Sequence, residues 1–248
     1  MKVSYIVATF NSARYLRECL ESIVNKGGTT IGEVLVIDGG SSDRSLEIVN
    51  QCLSGVPHSI HLQKSKGLYE ALNEAVTLAA FPFIMFVHSD DLLAEIGPST
   101  LPSSDMEITV GYVDIFREGM GIACRRRPPV FHRKWLSTYP FIFHPNAIYP
   151  RNLLLKHPFD PGRYGRRADM FQIASLGRIA KFRRVNDLGY LFRIHCSSTT
   201  VKAVPNAHES TGYWFFRLYV FMLFENRRIA RLWSSLTGRG MWKVASNP

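Results

Sequence analysis

Cysteine is scarce in this sequence, and its four copies are scattered: Cys19, Cys52, Cys124 and Cys196, with no Cys-x-x-Cys pair among them. That argues against a zinc site and against a disulfide framework, and leaves buried thiols as the expectation. Long apolar runs are missing as well. The most aromatic late stretch, residues 213–224, carries only Arg217 as a charge, yet it falls short of the ~20 apolar residues a membrane-spanning helix needs. The opening Met1-Lys2-Val3-Ser4-Tyr5-Ile6-Val7 passes straight into a strand-like run, without the longer apolar stretch and cleavage site of a secretory signal, so a cytoplasmic location is expected. No repeat, low-complexity tract or linker is visible. With 46% hydrophobic and 20% charged residues over 248 positions, the chain can bury a full core, which excludes a disordered chain.

Acidic residues are scarce in one half only. Residues 1–120 carry 8 Lys+Arg against 15 Asp+Glu, net −7, whereas residues 121–248 carry 22 against 5, net +17. An acidic half joined to a basic one suits an enzyme that uses carboxylates for metal and nucleotide, and cations for an anionic partner. Nucleic acid is set aside, because no reader motif accompanies the charge. Anionic lipid or a lipid-linked diphosphate fits the motifs better.

Strands alternate with helices over the first 90 residues, the pattern of a parallel sheet with crossover helices. Strands are expected at 3–8, 33–38, 59–63 and 83–87. The helix after Ser12 runs to about Asn25, with Tyr15, Leu16, Leu20, Ile23 and Val24 at helical spacing and Ser12 as its cap; two more span 43–51 and 67–79. Further on, 108–117 and 121–127 read as a hairpin, 168–176 as a helix, and 181–185 and 188–195 as two short strands. Polar residues gather where strands end: Thr9 and Asn11, Asp38, then Asp90 with Asp91. In open parallel sheets the ligand lies outside the carboxyl ends of the strands, so these groups share one expected crevice.

Asp38-Gly39-Gly40-Ser41-Ser42-Asp43 puts a carboxylate at a strand end, followed by glycines that let a ligand approach the backbone. Taken alone this is equally a turn motif. Together with Ile6-Val7-Ala8-Thr9-Phe10-Asn11-Ser12 and Phe86-Val87-His88-Ser89-Asp90-Asp91, it resembles the family 2 glycosyltransferases of the GT-A fold. Lys66-Gly67-Leu68-Tyr69-Glu70-Ala71-Leu72-Asn73 is similar to a stretch seen in a polysaccharide-building branch of that family, and the likeness covers about the first 95 residues. His144-Pro145-Asn146-Ala147, Phe159-Asp160 and Ala168-Asp169 match its acceptor-side pattern more loosely.

The resemblance implies an α/β fold, a GT-A type, Rossmann-like, mostly parallel central sheet with flanking helices over residues 1–200; the helix-compatible aromatic run beyond it reads as a basic helical C-terminal extension over 201–248. It implies an inverting, metal-dependent glycosyltransferase that moves a sugar from a nucleotide-diphosphate sugar, a UDP-sugar by preference, to a saccharide or lipid-linked saccharide. Asp38 would contact base or ribose, with Thr9 and Asn11 lining the same pocket. Asp90 falls on the family's Asp-x-Asp motif and would hold Mn2+ or Mg2+, with Asp91, His88 and His195 as further candidate ligands; an imidazole at position 88 would tilt the choice toward manganese. Asp169 is the candidate general base, although an acid at a helix start is also stabilised by the helix dipole. Lys66, Tyr69, Asn73, Ser89 and Arg193 complete the expected donor site. For Tyr69 and Asn73, one turn apart on a helix face, ordinary packing is the competing reading.

Gly39 and His88 depart from the family's common residues and leave room for a catalytically silent nucleotide-sugar or glycan-binding module. The run 213–224, followed by Arg227, Arg228, Arg231 and Trp233, is either a core or dimer helix or a segment lying on an anionic membrane surface. The second is favoured, which would make the protein peripheral on the inner face of the cell membrane.

Overall fold

The computed structural model describes residues 2–117, 121–126 and 142–195. The chain divides into two compact units, Met1–Ile194 and His195–Pro248. Of the second, only His195 is among the described residues, so the expected aromatic extension lies outside them.

The first unit is one sheet with helices against it. Its strands are β1 (Val3–Thr9), β2 (Ile31–Asp38), β3 (His58–Leu62), β4 (Phe83–Phe86), β5 (Leu92–Ile96), β6 (Glu107–Arg117), β7 (Gly121–Arg126), β8 (Ala147–Pro150) and β9 (Lys181–Ile194). They lie in the order β3-β2-β1-β4-β8-β6-β9-β5, with β7 on β6. From β3 to β4 every pairing is parallel, and β6 runs parallel to β9; β8 pairs antiparallel with β4 and β6, and β5 with β9. The helices are α1 (Ala13–Gly27), α2 (Ser45–Leu53), α3 (Leu68–Leu78), α4 (Arg151–Lys156), α5 (Pro161–Tyr164) and α6 (Ala168–Ile179). Burial on both faces explains why β1, β2 and β4 read as near-continuous apolar runs. Ile6, Leu35, Phe86 and Tyr149 form the middle of the core with Leu72, Leu153 and Leu176 from the covering helices.

Two local expectations are corrected. Ser12 makes no capping bond to α1. Its hydroxyl pairs instead with Ser89 at 2.9 Å, and the free N–H of Ala13 donates to the Asp43 carboxylate at 2.9 Å. The same carboxylate accepts from Ser45 N–H at 3.0 Å, so one acid serves the starts of two helices. Slight burial would raise the Asp43 pKa, but the hydrogen bonds from Ser45 and Ala13 outweigh it and leave it lowered. Finally, Asn186-Asp187 does not split the last strand in two. The β6–β9 register slips between Val110 and Tyr112, where Gly111 leaves no room for a Cβ against the Leu188 carbonyl, and the Asp187 carboxylate accepts from Ser99 N–H at 2.9 Å. A turn signal is thereby absorbed as a bulge within a strand.

Candidate active site

At the ends of β1 and β2 the chain knits two loops into one floor. Thr9 and Asp38 are register partners, and Gly39 N–H donates to the Thr9 carbonyl at 2.8 Å. Asp38 is buried, and its carboxylate accepts from Gly40 N–H (3.0 Å), Ser41 N–H (2.9 Å) and the Ser41 hydroxyl (2.5 Å). Asn11 adopts φ +49°, a left-handed conformation that asparagine tolerates. From there its Oδ1 accepts from Ser42 N–H at 2.8 Å while its own N–H donates to Ser41 Oγ at 2.9 Å. Asp38 and Asn11 therefore build the loop first, and any ligand meets them as part of it. The buried Thr9 hydroxyl has no partner.

Above this floor stands an apolar rim that the sequence reading missed. Phe10 is 62% exposed and Leu62, register partner of Asp38, is 70% exposed. A Cβ at position 39 would come within 3.2 Å of Phe10, so Gly39 is what lets that ring sit over the loop. The available signal was an aromatic residue between Thr9 and Asn11, at a strand end where the core has already stopped.

The loop after β4 is held from below. His88 N–H donates to the Tyr190 hydroxyl at 3.1 Å, and the His88 carbonyl accepts from Asp91 N–H (3.0 Å) and the Cys19 thiol (3.3 Å). Asp91, expected to face a metal, is 1% exposed, and its two oxygens accept from the Tyr190 hydroxyl (2.8 Å) and Arg193 N–H (2.7 Å). Burial first, and then the charge of Asp90, push the Asp91 pKa well up. Arg193, expected at the diphosphate, is also inside. Its guanidinium donates to the Asp90 carbonyl (2.9 Å) and to Glu18 (2.5 Å), between the rings of Tyr15 at 4.7 Å and Phe116 at 4.8 Å. Asp91 and Arg193 thus position Asp90 and are not themselves presented to a ligand.

Among the described residues, no group of three or more His, Cys, Asp or Glu side chains is arranged to hold a metal ion, and His195 belongs to the second unit. What remains at the loop is half-buried Asp90, two positions along the chain from half-buried His88. One carboxylate with an adjacent imidazole fits a divalent ion that fills the rest of its shell with phosphate oxygens and water.

Half-buried Asp169 sits in the first turn of α6, with Oδ1 accepting from Met170 N–H at 2.8 Å. Its charge reaches His88, Tyr69 and Tyr149. Burial lowers the His88 pKa against the opposing charges of Asp90 and Asp169, while burial and then Asp169 raise that of Tyr69. Tyr69 donates to the Arg166 carbonyl at 3.2 Å and packs on Phe159. Asn73, expected in the donor pocket, instead grips the Phe159 backbone at both ends, Nδ2 to the carbonyl at 2.9 Å and Oδ1 from the N–H at 3.0 Å. Lys66 is exposed at the tip of a loop whose backbone is tied to Glu74 by Lys64 and Ser65 N–H. His144 is buried among Phe86, Tyr149 and Phe159, with Nε2 unpartnered; burial, and then His88, hold its pKa well down.

The model of the Glycosyl transferase family 2 matches residues 4–96, the stretch that carries the Asp38 floor and the Asp90 loop. Over those residues the chain is similar to the family 2 glycosyltransferases. Chondroitin synthase of Escherichia coli is 26% identical over 218 residues, which are 84% of this chain and 31% of that protein. The chain spans about a third of the length of the first curated relatives it matches. TarS of S. aureus, residues 1–349 in complex with UDP-GlcNAc, superposes with a TM-score of 0.62 at 20% identity, over 83% of this chain and 62% of that one. Mannosyltransferase PcManGT of Pyrobaculum calidifontis, in complex with GDP-Man and Mn2+, gives 0.51 at 19% identity, over 77% and 56%. The domain therefore has the GT-A fold. At the strand ends, hydrogen bonds from Gly39 to Thr9, from Ser42 to Asn11 and between Ser12 and Ser89 bring Thr9, Asn11, Asp38 and Ser89 together, with His88 and Asp90 on the same loop as Ser89.

Proposed function

We propose that the protein transfers a sugar from a nucleotide-diphosphate sugar to an acceptor hydroxyl, with inversion and with a divalent metal, in the synthesis of a surface polysaccharide or lipopolysaccharide. The observation that carries this reading is the Ser12–Ser89 hydroxyl pair at 2.9 Å, which joins the loop after β1, itself tied to the Asp38 floor, to the loop that carries Asp90. The Phe10–Leu62 rim offers an apolar face for a nucleobase. Beneath it, Asp38 Oδ1 keeps acceptor capacity for a base N–H or ribose hydroxyl. A bound Mn2+ or Mg2+, held by Asp90 with His88 beside it, would supply Lewis-acid stabilisation of the charge on the leaving diphosphate. Asp169 takes the acceptor proton as that oxygen attacks the anomeric carbon from the face opposite the leaving group, a role worth roughly 10²–10⁴-fold. The UDP-GlcNAc held by TarS supports a UDP-sugar donor, and the Mn2+ held by PcManGT supports the metal.

No helix among the described residues is long and apolar enough to cross a membrane. Contact with the inner face of the membrane, if the basic segment 213–233 makes it, is part of this proposal. Calorimetry with UDP, GDP, dTDP and CMP sugars, with and without manganese, tests the donor site on the wild type and on Asp90→Ala. One nucleotide should bind in a metal-dependent way that the substitution abolishes. No binding by a folded wild type would return the silent-module reading.

A further inference from the structure

The turn that leads into α6 carries Arg163, Arg166 and Arg167, all exposed, within six residues of Asp169. Other arginines of the domain have acids: Arg44 has Glu47, Arg183 has Glu107, and Arg193 has Glu18. These three make no ion pair among the described residues. The turn is nevertheless built to a fixed shape. Asp160 accepts from Arg163 N–H through its side chain and from Tyr164 N–H through its carbonyl, each at 3.0 Å. Tyr69 holds the Arg166 carbonyl, and Tyr164 stacks on Phe171 from α6, with centroids 3.9 Å apart and planes within 13°. Two peptide steps separate Arg167 from Asp169, which keeps their Cα atoms within about 7.6 Å.

Cations crowded on one rigid turn repel one another, and a neutral acceptor sugar would give them nothing to bind as ions. Guanidinium groups match phosphate oxygens in geometry and form charge-assisted pairs with them. We infer that this turn binds an anionic phosphate group of the acceptor, close to the hydroxyl that Asp169 deprotonates. The inference rests on the transferase reading and adds the acceptor's chemical class to it. The phosphate has two sources, an ester along a saccharide or polyol chain, or the diphosphate of a lipid-linked sugar.

The test compares three acceptors with the full-length protein and the nucleotide sugar that binds it: methyl glucoside, methyl glucoside 6-phosphate, and glucose linked through diphosphate to a short prenyl chain. One charged acceptor should exceed the neutral one in kcat/KM by tenfold or more, and which of the two does so distinguishes the sources. In Arg166→Gln/Arg167→Gln that ratio should fall at least tenfold through KM, with the melting temperature as a check on folding. Arg166→Lys/Arg167→Lys should recover part of the ratio. Equal use of charged and neutral acceptors, or a ratio the glutamines leave alone, overturns the inference. So does a loss confined to binding of phosphatidylglycerol vesicles, which would assign the turn to a membrane surface. Calorimetric titration of methyl glucoside 6-phosphate reads the arginines without turnover. Its binding, with loss in the glutamine variant, would stand even if no donor were transferred, whereas that second failure alone would remove the transferase reading.

Discussion

The β3-β2-β1-β4 half and the β8-β6-β9-β5 half of the sheet treat polar residues in opposite ways. In the first, Asp38, Asn11 and Asp43 sit in the loops after the strands and bind backbone N–H groups, Asp38 within its own loop, Asn11 across to Ser42, and Asp43 both within its loop and across to Ala13. Their chemistry is contiguous in sequence because each loop follows its own strand. In the second, the polar groups are interior: Asp91 meets Tyr190 and Arg193 about a hundred positions away, and His144 lies in an aromatic cage. The first half offers a surface for a ligand to read, and the second supports it from behind. A parallel sheet with its loops on one edge produces the former, whereas antiparallel additions must be tied to it through buried contacts.

The sharpest way to break that comparison is Asp169→Asn. Turnover should drop by roughly 10²–10⁴-fold while donor affinity measured by calorimetry stays within about threefold, since in the proposed mechanism the acid serves the acceptor and not the nucleotide. A matching loss of donor binding would merge the two halves functionally.

Glu107 probes the supporting half. Burial alone would raise its pKa, but Arg183, Ser103 N–H and Lys181 hold it at about 2, against an ordinary 4.5. A depressed folded pKa means that its stabilisation is complete above about pH 4.5 and is lost as pH falls toward 2. Chemical denaturation should show that slope in the wild type and a flatter one in Glu107→Gln, which should also lose about 2 kcal/mol near neutral pH because hydrogen bonds to a charged group are the stronger kind. Parallel acid profiles for the two proteins would deny Glu107 this role.

The smallest effect is expected in the ligand-facing half. Asp43→Ala removes an exposed carboxylate that caps two helix starts, so about 1 kcal/mol is expected in urea melts. A loss several times larger would show that the loops of this half are as tightly coupled to the core as Asp91 is.

Legibility in the sequence follows the same division. The first four strands, their helices and the residues at their ends were readable because apolar periodicity and strand-end polarity are local signals. The β6–β7 hairpin was readable for the same reason. For Asn73 the pocket and packing readings are not separable in sequence because its partner, the Phe159 backbone, is 86 positions away, and no local pattern announces it. Arg193 and Asp91 were assigned to ligands because a charge near a strand end is ambiguous until its burial is known. Phe10 was passed over because an aromatic beside an apolar strand reads as core, and only the arrest of the core at Thr9 reveals that it stands outside.

The double use of Asp43 has an evolutionary side. Since one carboxylate closes the starts of both α1 and α2, an insertion or deletion in either the 9–13 or the 38–45 loop would pull the acid away from one of them. Under the proposed donor reading, diversification on this scaffold is thereby steered away from loop length at these two strand ends and toward side-chain exchange at positions such as Phe10, Gly39 and Leu62.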